Sequence, residues 1–374
     1  MDLKSQFDKF LADIRLTTSQ EAELRDAHRL LRERLNSHAT MKGVIIGDFL
    51  QGSYRRKTAT RPKNDNRADV DIVVVTTLSE AEYTPQQAMN VFVPFLNTHY
   101  AGKWEFQGRS IGITMSQVSL DVVVTSAPSE ILAKALRAES IRSEAALDEE
   151  DWQPSLDWVP SAMRANSLQR AGQTPQWKLD PLRIPDRDAQ GWDDTNPLEQ
   201  IRFTWEKNRQ CSGHYVNVVK AVKWWRRINP EPKYPKGYPA EHLIGVCCPN
   251  GISSIAEGVT LALEEMVRRY EVDVALERIP VVSDHGVPAH NVLHRLTPAD
   301  FKVFYEKLKP AAAIARQAFD SDSRETATQL WQKLFGTTFP LGPARGGNNE
   351  GGDGGGYSPR GGPTIIPTSG ERWG

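Results

Sequence analysis

Cysteine is scarce in this chain: three in 374 residues, two of them adjacent as Cys247-Cys248. That is too few for a disulfide framework and the wrong spacing for a Cys-x-x-Cys metal clasp, so a reducing cytoplasm is the expected setting. Also missing is any apolar run of bilayer-spanning length, and Met1-Asp2-Leu3-Lys4-Ser5 has none of the pattern of an export signal. A charge surplus is missing too: 46 Lys and Arg stand against 47 Asp and Glu, a net charge of −1. Proteins that grip long nucleic acid usually carry a basic excess. Neither long DNA or RNA nor a membrane is therefore an expected partner.

What the chain does have is concentrated between Gly52 and Asp71, together with Asp121. Gln51-Gly52-Ser53 precedes Ala68-Asp69-Val70-Asp71-Ile72-Val73-Val74-Val75, an apolar strand pattern interrupted by two acids. Strand side chains alternate, so Asp69 and Asp71 share a face while Val70, Ile72 and Val74 enter a core. Met115–Val124 repeats the arrangement with Asp121 where the pattern wants a buried residue. Three carboxylates on neighbouring strands repel one another and lose hydration, so they need a compensating cation. Hard divalent ions such as Mg²⁺, with Mn²⁺ as a substitute, suit oxygen ligands. The Gly52-Ser53 turn offers backbone N–H groups, a hydroxyl and room for a phosphate. The combination describes a two-metal site for phosphoryl or nucleotidyl transfer, with Asp69, Asp71 and Asp121 as metal ligands and catalytic acids. Two further Asp-x-Asp pairs, Asp186/Asp188 and Asp320/Asp322, lie outside apolar strands and are expected to be solvated charges.

Gly52-Ser53, Asp69-Val70-Asp71 and Leu120-Asp121-Val122 resemble the polymerase-β-type nucleotidyltransferase signature. To about Pro340 the chain resembles the bacterial cGAS/DncV-like nucleotidyltransferases of anti-phage defence, in particular their D clade. The resemblance runs through Phe49–Ser53, Gly108–Thr114, Glu206–Arg209, Ala221–Arg226, Lys233–Pro239 and Leu243–Gly245. It implies ATP and GTP as substrates and cyclic AMP-AMP-GMP as product. Lys220 and Lys223, three apart on one helix face, can reach a common anion, and the resemblance makes that anion the donor triphosphate, with Lys223 the first choice. It also implies nucleotide contacts at Tyr238 and Asp284, although His285 stands where the family has Pro after the acid. Gln51 supports the turn or touches nucleotide, and Arg109, placed between two strands, is expected to face the acceptor. His285, His290 and His294 lack cysteine or acidic partners at ligand spacing and are expected to cap helices or line a lid over the nucleotide.

The element order gives an α+β fold: a nucleotidyltransferase lobe on a mixed sheet over residues 1–135, then a helical second lobe over 199–340. Helices are expected at 3–14 and from Thr18 to about Asn36, with Glu21 closing a capping box, both packed along the sheet or forming a spine to the second lobe. A short strand follows at 44–46, residues 49–53 lead into the Gly-Ser turn, and then come a helix within 80–100 and strands at 104–107 and 111–125. Residues 136–198, rich in Trp and Pro, read as an irregular crossover. His214–Ile228, Ala240–Val246, Ser253–Tyr270, Pro298–Phe319 and Arg324–Phe335 read as helices. Residues 341–374 form a Gly-rich tail expected to be disordered. Its terminal Gly374, unobstructed by a side chain, is a handle for an E1/E2-like conjugating enzyme, which the resemblance also implies. A downstream effector would be reached through the nucleotide product. Two other functions fit the residues: nucleotidyl transfer to a macromolecule or drug, as by a toxin-like AMP transferase, and a catalytically idle nucleotide sensor. Three strand-borne acids speak against the sensor.

Overall fold

A computed structural model describes residues 1–62, 66–129, 181–230, 235 and 237–342 of the chain. Alternating apolar residues build a mixed sheet from β1 (Ile45–Gln51), β2 (Ala68–Thr76), β3 (Trp104–Phe106), β4 (Ile111–Thr114) and β5 (Val118–Val124). The strand order is β1-β2-β5-β4-β3, with β2 and β5 parallel and the other neighbours antiparallel. Val70, Ile72 and Val74 of β2 and Leu120, Val122 and Val124 of β5 are buried on one face against Leu24, Leu31 and Leu35 of a flanking helix. Each such side chain contributes about 1.5–3 kcal/mol by leaving water. The opposite face, which carries the acids, buries Phe49, Val73 and Val75 against Leu182.

That flanking helix, α2 (Thr18–Ser37), begins at a capping box formed by Thr17 and Gln20, one residue before the expected Thr18 and Glu21. Thr17 has the extended backbone of a cap (φ −74°, ψ 158°), whereas Thr18 is already helical. The other N-terminal helix, α1 (Lys4–Ile14), does not lie along the sheet. Phe7, Phe10, Leu11 and Ile14 are buried in the helical lobe, where Phe7 meets Trp331 and Phe339 edge-on with ring centroids 5.1 Å apart. The short strand expected at 44–46 continues through the lead-in to the turn as one strand, β1, which runs into a single helical turn, α3 (Gly52–Arg55). The helix expected within 80–100 is two, α4 (Pro85–Asn90) and α5 (Val93–His99), the second carrying a proline in its first turn where no N–H is required.

The expected crossover is partly regular. Residues 182–195 form a hairpin of β6 (Leu182–Asp186) and β7 (Gly191–Thr195), with Leu182 and Ile184 inward. Its turn is closed by the Ala189 N–H donating to Asp186 Oδ1 at 2.9 Å, and Trp192 Nε1 donates to the Tyr83 carbonyl at 2.9 Å. The sequence also suggests a short helix at Ser129–Leu136; its residues 130–136 lie outside the described residues, as do Trp152, Trp158, Trp177 and the tail from 343. The second lobe contains α6 (Pro197–Gln210), α7 (Tyr215–Ile228), α8 (Tyr238–Cys247), α9 (Ile255–Ala275), α10 (Pro298–Asp320) and α11 (Arg324–Phe335), the last five around one apolar core, while Leu198 of α6 packs against the acid-bearing face of the sheet. No helix among the described residues is long and apolar enough to cross a membrane.

Candidate active site

Parallel pairing of β2 with β5 sets Asp71 directly opposite Asp121, and alternation puts Asp69 on the same face. One oxygen from each of the three carboxylates lies within 4.8 Å of the others, the single metal-competent group of its kind among the described residues. Burial and the charges of Asp71 and Asp121 push the Asp69 carboxyl up to about 8, even though its side chain reaches solvent. Burial, then Asp71, push Asp121 up to about 6 against a hydrogen bond from Gln107. Asp71 is raised by burial and by Glu241, while Arg56 and Lys223 pull it down. Such strain between like charges is what a divalent cation relieves, and an all-carboxylate oxygen set fits Mg²⁺ or Mn²⁺.

The turn that the sequence paired with these acids abuts them. Gln51 is in register with Asp71 across β1 and β2. Gly52 follows at φ +72°, and a Cβ there would lie 2.6 Å from Asp71 Cγ and closer still to Oδ2. Only glycine permits both that backbone angle and that approach. Ser53 is half-buried in the same turn, and its carbonyl accepts from the Thr58 and Ala59 N–H groups at 2.9 and 3.1 Å.

The two lysines divide. Lys223 feels Asp71, but its ammonium donates to Glu241 Oε1 at 2.7 Å and to the Thr58 carbonyl at 3.0 Å. Lys220 is brought down to about 7 by burial and by Arg15, Lys223 and Lys57, with Glu21 opposing. Tyr238 lies on the far side of Arg56, its ring 5.4 Å from that guanidinium; its hydroxyl is hydrogen-bonded with His242 Nδ1 at 3.2 Å, and burial, then the charge of Asp284, hold its proton in place. Asp284 Oδ1 accepts from the Gly286 and Val287 N–H groups at 2.7 and 3.1 Å, so it shapes its own loop. Tyr238, Asp284, Arg109, His290 and His294 line one cleft of about 490 Å³. Arg109 does not stand open there; it is paired with Asp186 at 2.6 Å and Asp193 at 2.7 Å. Asp186 is therefore not the solvated charge its sequence context suggested but a buried strand-end acid held below the usual range, where burial is overcome by bonds from Ala189 and Arg109. His285 is stacked between Phe203 and His242, at centroid distances of 3.5 and 3.9 Å.

Sequence reasoning passed over Arg56, Gln107 and Glu241. Arg56 sits in a basic run, Arg55-Arg56-Lys57, that does not distinguish its members. Glu241 did leave a signal, a lone acid in the apolar helix Tyr238–Cys247, buried to 5% exposure.

A mixed sheet with three clustered acids beside a Gly-Ser turn, capped by a helical lobe, is the architecture of a nucleotidyltransferase. Residues 1–126 match the family model described as the Second Messenger Oligonucleotide or Dinucleotide Synthetase domain. A cyclic AMP-AMP-GMP synthase of Enterobacter hormaechei is 46% identical over 364 residues, covering 94% of this chain and 96% of that protein. Two solved structures share the fold. CdnC of Escherichia coli MS115-1, solved with ATP, aligns at TM-score 0.62 and 16% identity over 91% of this chain and 99% of its own. Vibrio cholerae DncV, a cyclic AMP-GMP synthase solved with the linear intermediate pppA(3′,5′)pG, aligns at 0.59 and 12% over 90% and 99%. The chain belongs to the cGAS/DncV-like nucleotidyltransferase family.

Proposed function

We propose that this protein joins ATP and GTP into a cyclic oligonucleotide second messenger, most specifically cyclic AMP-AMP-GMP, in anti-phage signalling. The observation that carries the chemistry is the Asp69–Asp71–Asp121 cluster set against Gly52. The product identity follows the name of the relative that is 46% identical over nearly the whole chain. Asp69, Asp71 and Asp121 would hold the divalent ions, which when bound supply Lewis-acid neutralisation of the triphosphate. Gly52 and Ser53 then receive phosphate: the turn has no side chain at Gly52 to block it, and its backbone N–H groups and the Ser53 hydroxyl donate to phosphate oxygens. Gln51, in register with Asp71, supports that turn. Asp121, with its raised proton affinity, takes the proton of the attacking 3′-hydroxyl. Lys223 and Lys220 supply positive charge on the triphosphate side, and Tyr238 and Asp284 border the nucleotide in the cleft they share with Arg109. The cytoplasm is the proposed setting, an effector the proposed reader of the product, and Gly374 the proposed point of attachment by an E1/E2-like enzyme.

Replacing Asp69 and Asp71 together with Ala tests the site. Removing the bridging carboxylates is expected to cost on the order of 10³-fold or more in turnover while the chain stays folded. Retention of about a tenth of wild-type turnover in that double variant overturns the assignment.

A further inference from the structure

Behind the Gly52–Ser53 turn, a single buried carboxylate joins the two lobes. Glu241, on α8 of the helical lobe, accepts at Oε2 from Arg56 Nε (3.1 Å) and from the Thr58 hydroxyl (2.8 Å). Its other oxygen accepts from Lys223 Nζ on α7 at 2.7 Å. Arg56 and Thr58 belong to the segment that folds back on the turn, the Arg56 N–H donating to the Gly52 carbonyl at 3.1 Å and the Thr58 N–H to that of Ser53 at 2.9 Å. The Glu241 and Arg56 side chains are 6% and 5% exposed, and that of Lys223 is 14% exposed, so water does not screen the cluster. A buried acid that binds two cations and a hydroxyl fixes all three in place, because every alternative position leaves a charge unpaired.

We propose that Glu241 is a positioning residue for nucleotide transfer, seating the phosphate-binding turn of the catalytic lobe on the helical lobe through Arg56 and Thr58 and holding Lys223 beside Asp71. This rests on the nucleotidyltransferase reading of the site. Glu241 touches no reacting atom; it acts through the two turn residues and the lysine. The three metal-binding acids are placed instead by the β2–β5 register, which does not involve Glu241. The positions of the acids thus come from the sheet and the seating of the turn from the clamp, although the charges of Arg56, Glu241 and Lys223 also act on Asp71.

The separation gives the test. Glu241→Gln keeps the shape and an acceptor for Thr58 but removes the charge. It is expected to raise the KM for ATP and GTP about tenfold or more, with a smaller change in kcat. Mn²⁺ binding to the nucleotide-free protein, followed by the ion's electron paramagnetic resonance, is expected to weaken by clearly less than KM rises, because the unpaired charges of Arg56 and Lys223 act on Asp71 while the three acids keep their places. Thr58→Val, which deletes one donor to the same carboxylate without changing volume, serves if the first variant does not fold. It is expected to raise KM in the same direction, and Thr58→Ser to restore it. The proposal is overturned if folded Glu241→Gln, or folded Thr58→Val, keeps wild-type KM, or if Mn²⁺ affinity falls in parallel with nucleotide affinity. Wild-type protein that neither turns over nor binds a non-hydrolysable ATP analogue refutes the nucleotidyltransferase reading itself, and the proposal with it.

Discussion

Gly52→Ala is the smallest perturbation that reaches the site. The backbone there has φ +72°, where an L side chain costs about 1–2 kcal/mol. For a chain of this size that is a fall of only a few degrees in Tm. The functional loss is set by a different number: the new methyl would stand 2.6 Å from Asp71 Cγ, so the carboxylate has to turn away from Asp69 and Asp121. A displacement of about 1 Å in a catalytic constellation costs about 10²-fold in rate, far more than the stability change alone removes. Calorimetry, Mn²⁺ titration and product formation from ATP and GTP read the three consequences separately. Gly43→Ala is the control, since a Cβ at Gly43 meets nothing within 4 Å. If Gly52→Ala retained more than about half of wild-type turnover, the close approach of turn and acid would have no catalytic meaning.

Two further outcomes follow from the same geometry. Asp69 and Asp121 hold their protons to about 8 and about 6, so metal affinity should rise as pH is raised from below 6 to above 8. In metal-free protein the sign for stability is the reverse. Acids raised above their unfolded values stabilise the fold while protonated, and that contribution is fully present below the unfolded values and lost as pH climbs through the folded ones, about 6 and about 8. Metal-free protein should therefore melt lower at about pH 9 than at about pH 5, with Mn²⁺ cancelling the difference, and a flat profile in both states would contradict the assigned environment. Phe7→Ala should cost about 3–5 kcal/mol in denaturant unfolding, because the ring is 1% exposed and wedged among Phe10, Trp331, Phe335 and Phe339. A cost below about 1 kcal/mol would mean that α1 does not belong to the helical core.

The acids were legible because each breaks a local rule: a carboxylate in a Val-rich strand is visible without knowing what lies opposite. The helices of the second lobe were legible for a similar reason, since the stripe read through Val216, Val219, Val222 and Trp224 or Trp225 marks α7 wherever it packs, although the buried face takes Val218 rather than Val216. Periodicity names a buried face but not its neighbour, and so Phe7 and Phe10 gave the helix α1 but left it between the sheet and a spine to the second lobe; it packs in the second lobe's core. The burial of Asp186 depends on Arg109, 77 residues away, and the clamp at Glu241 on Arg56, 185 residues away. Partners at such separations are products of the tertiary fold, and no local pattern encodes them. The β6–β7 hairpin was missed because Leu182 and Ile184 are few apolar residues among many prolines and charges, too short a run to stand out.

The measurement that bears most directly on the central claim is product identity. Wild-type protein is incubated with all four labelled nucleoside triphosphates and Mg²⁺, the mixture is treated with phosphatase, and what survives is weighed by mass spectrometry. The account predicts a phosphatase-resistant species with the mass of a ring of two adenylates and one guanylate, absent when Asp69 and Asp71 are both Ala. A labelled macromolecule or small acceptor in place of a ring, incorporation of pyrimidines, or no turnover by the wild-type chain would contradict it.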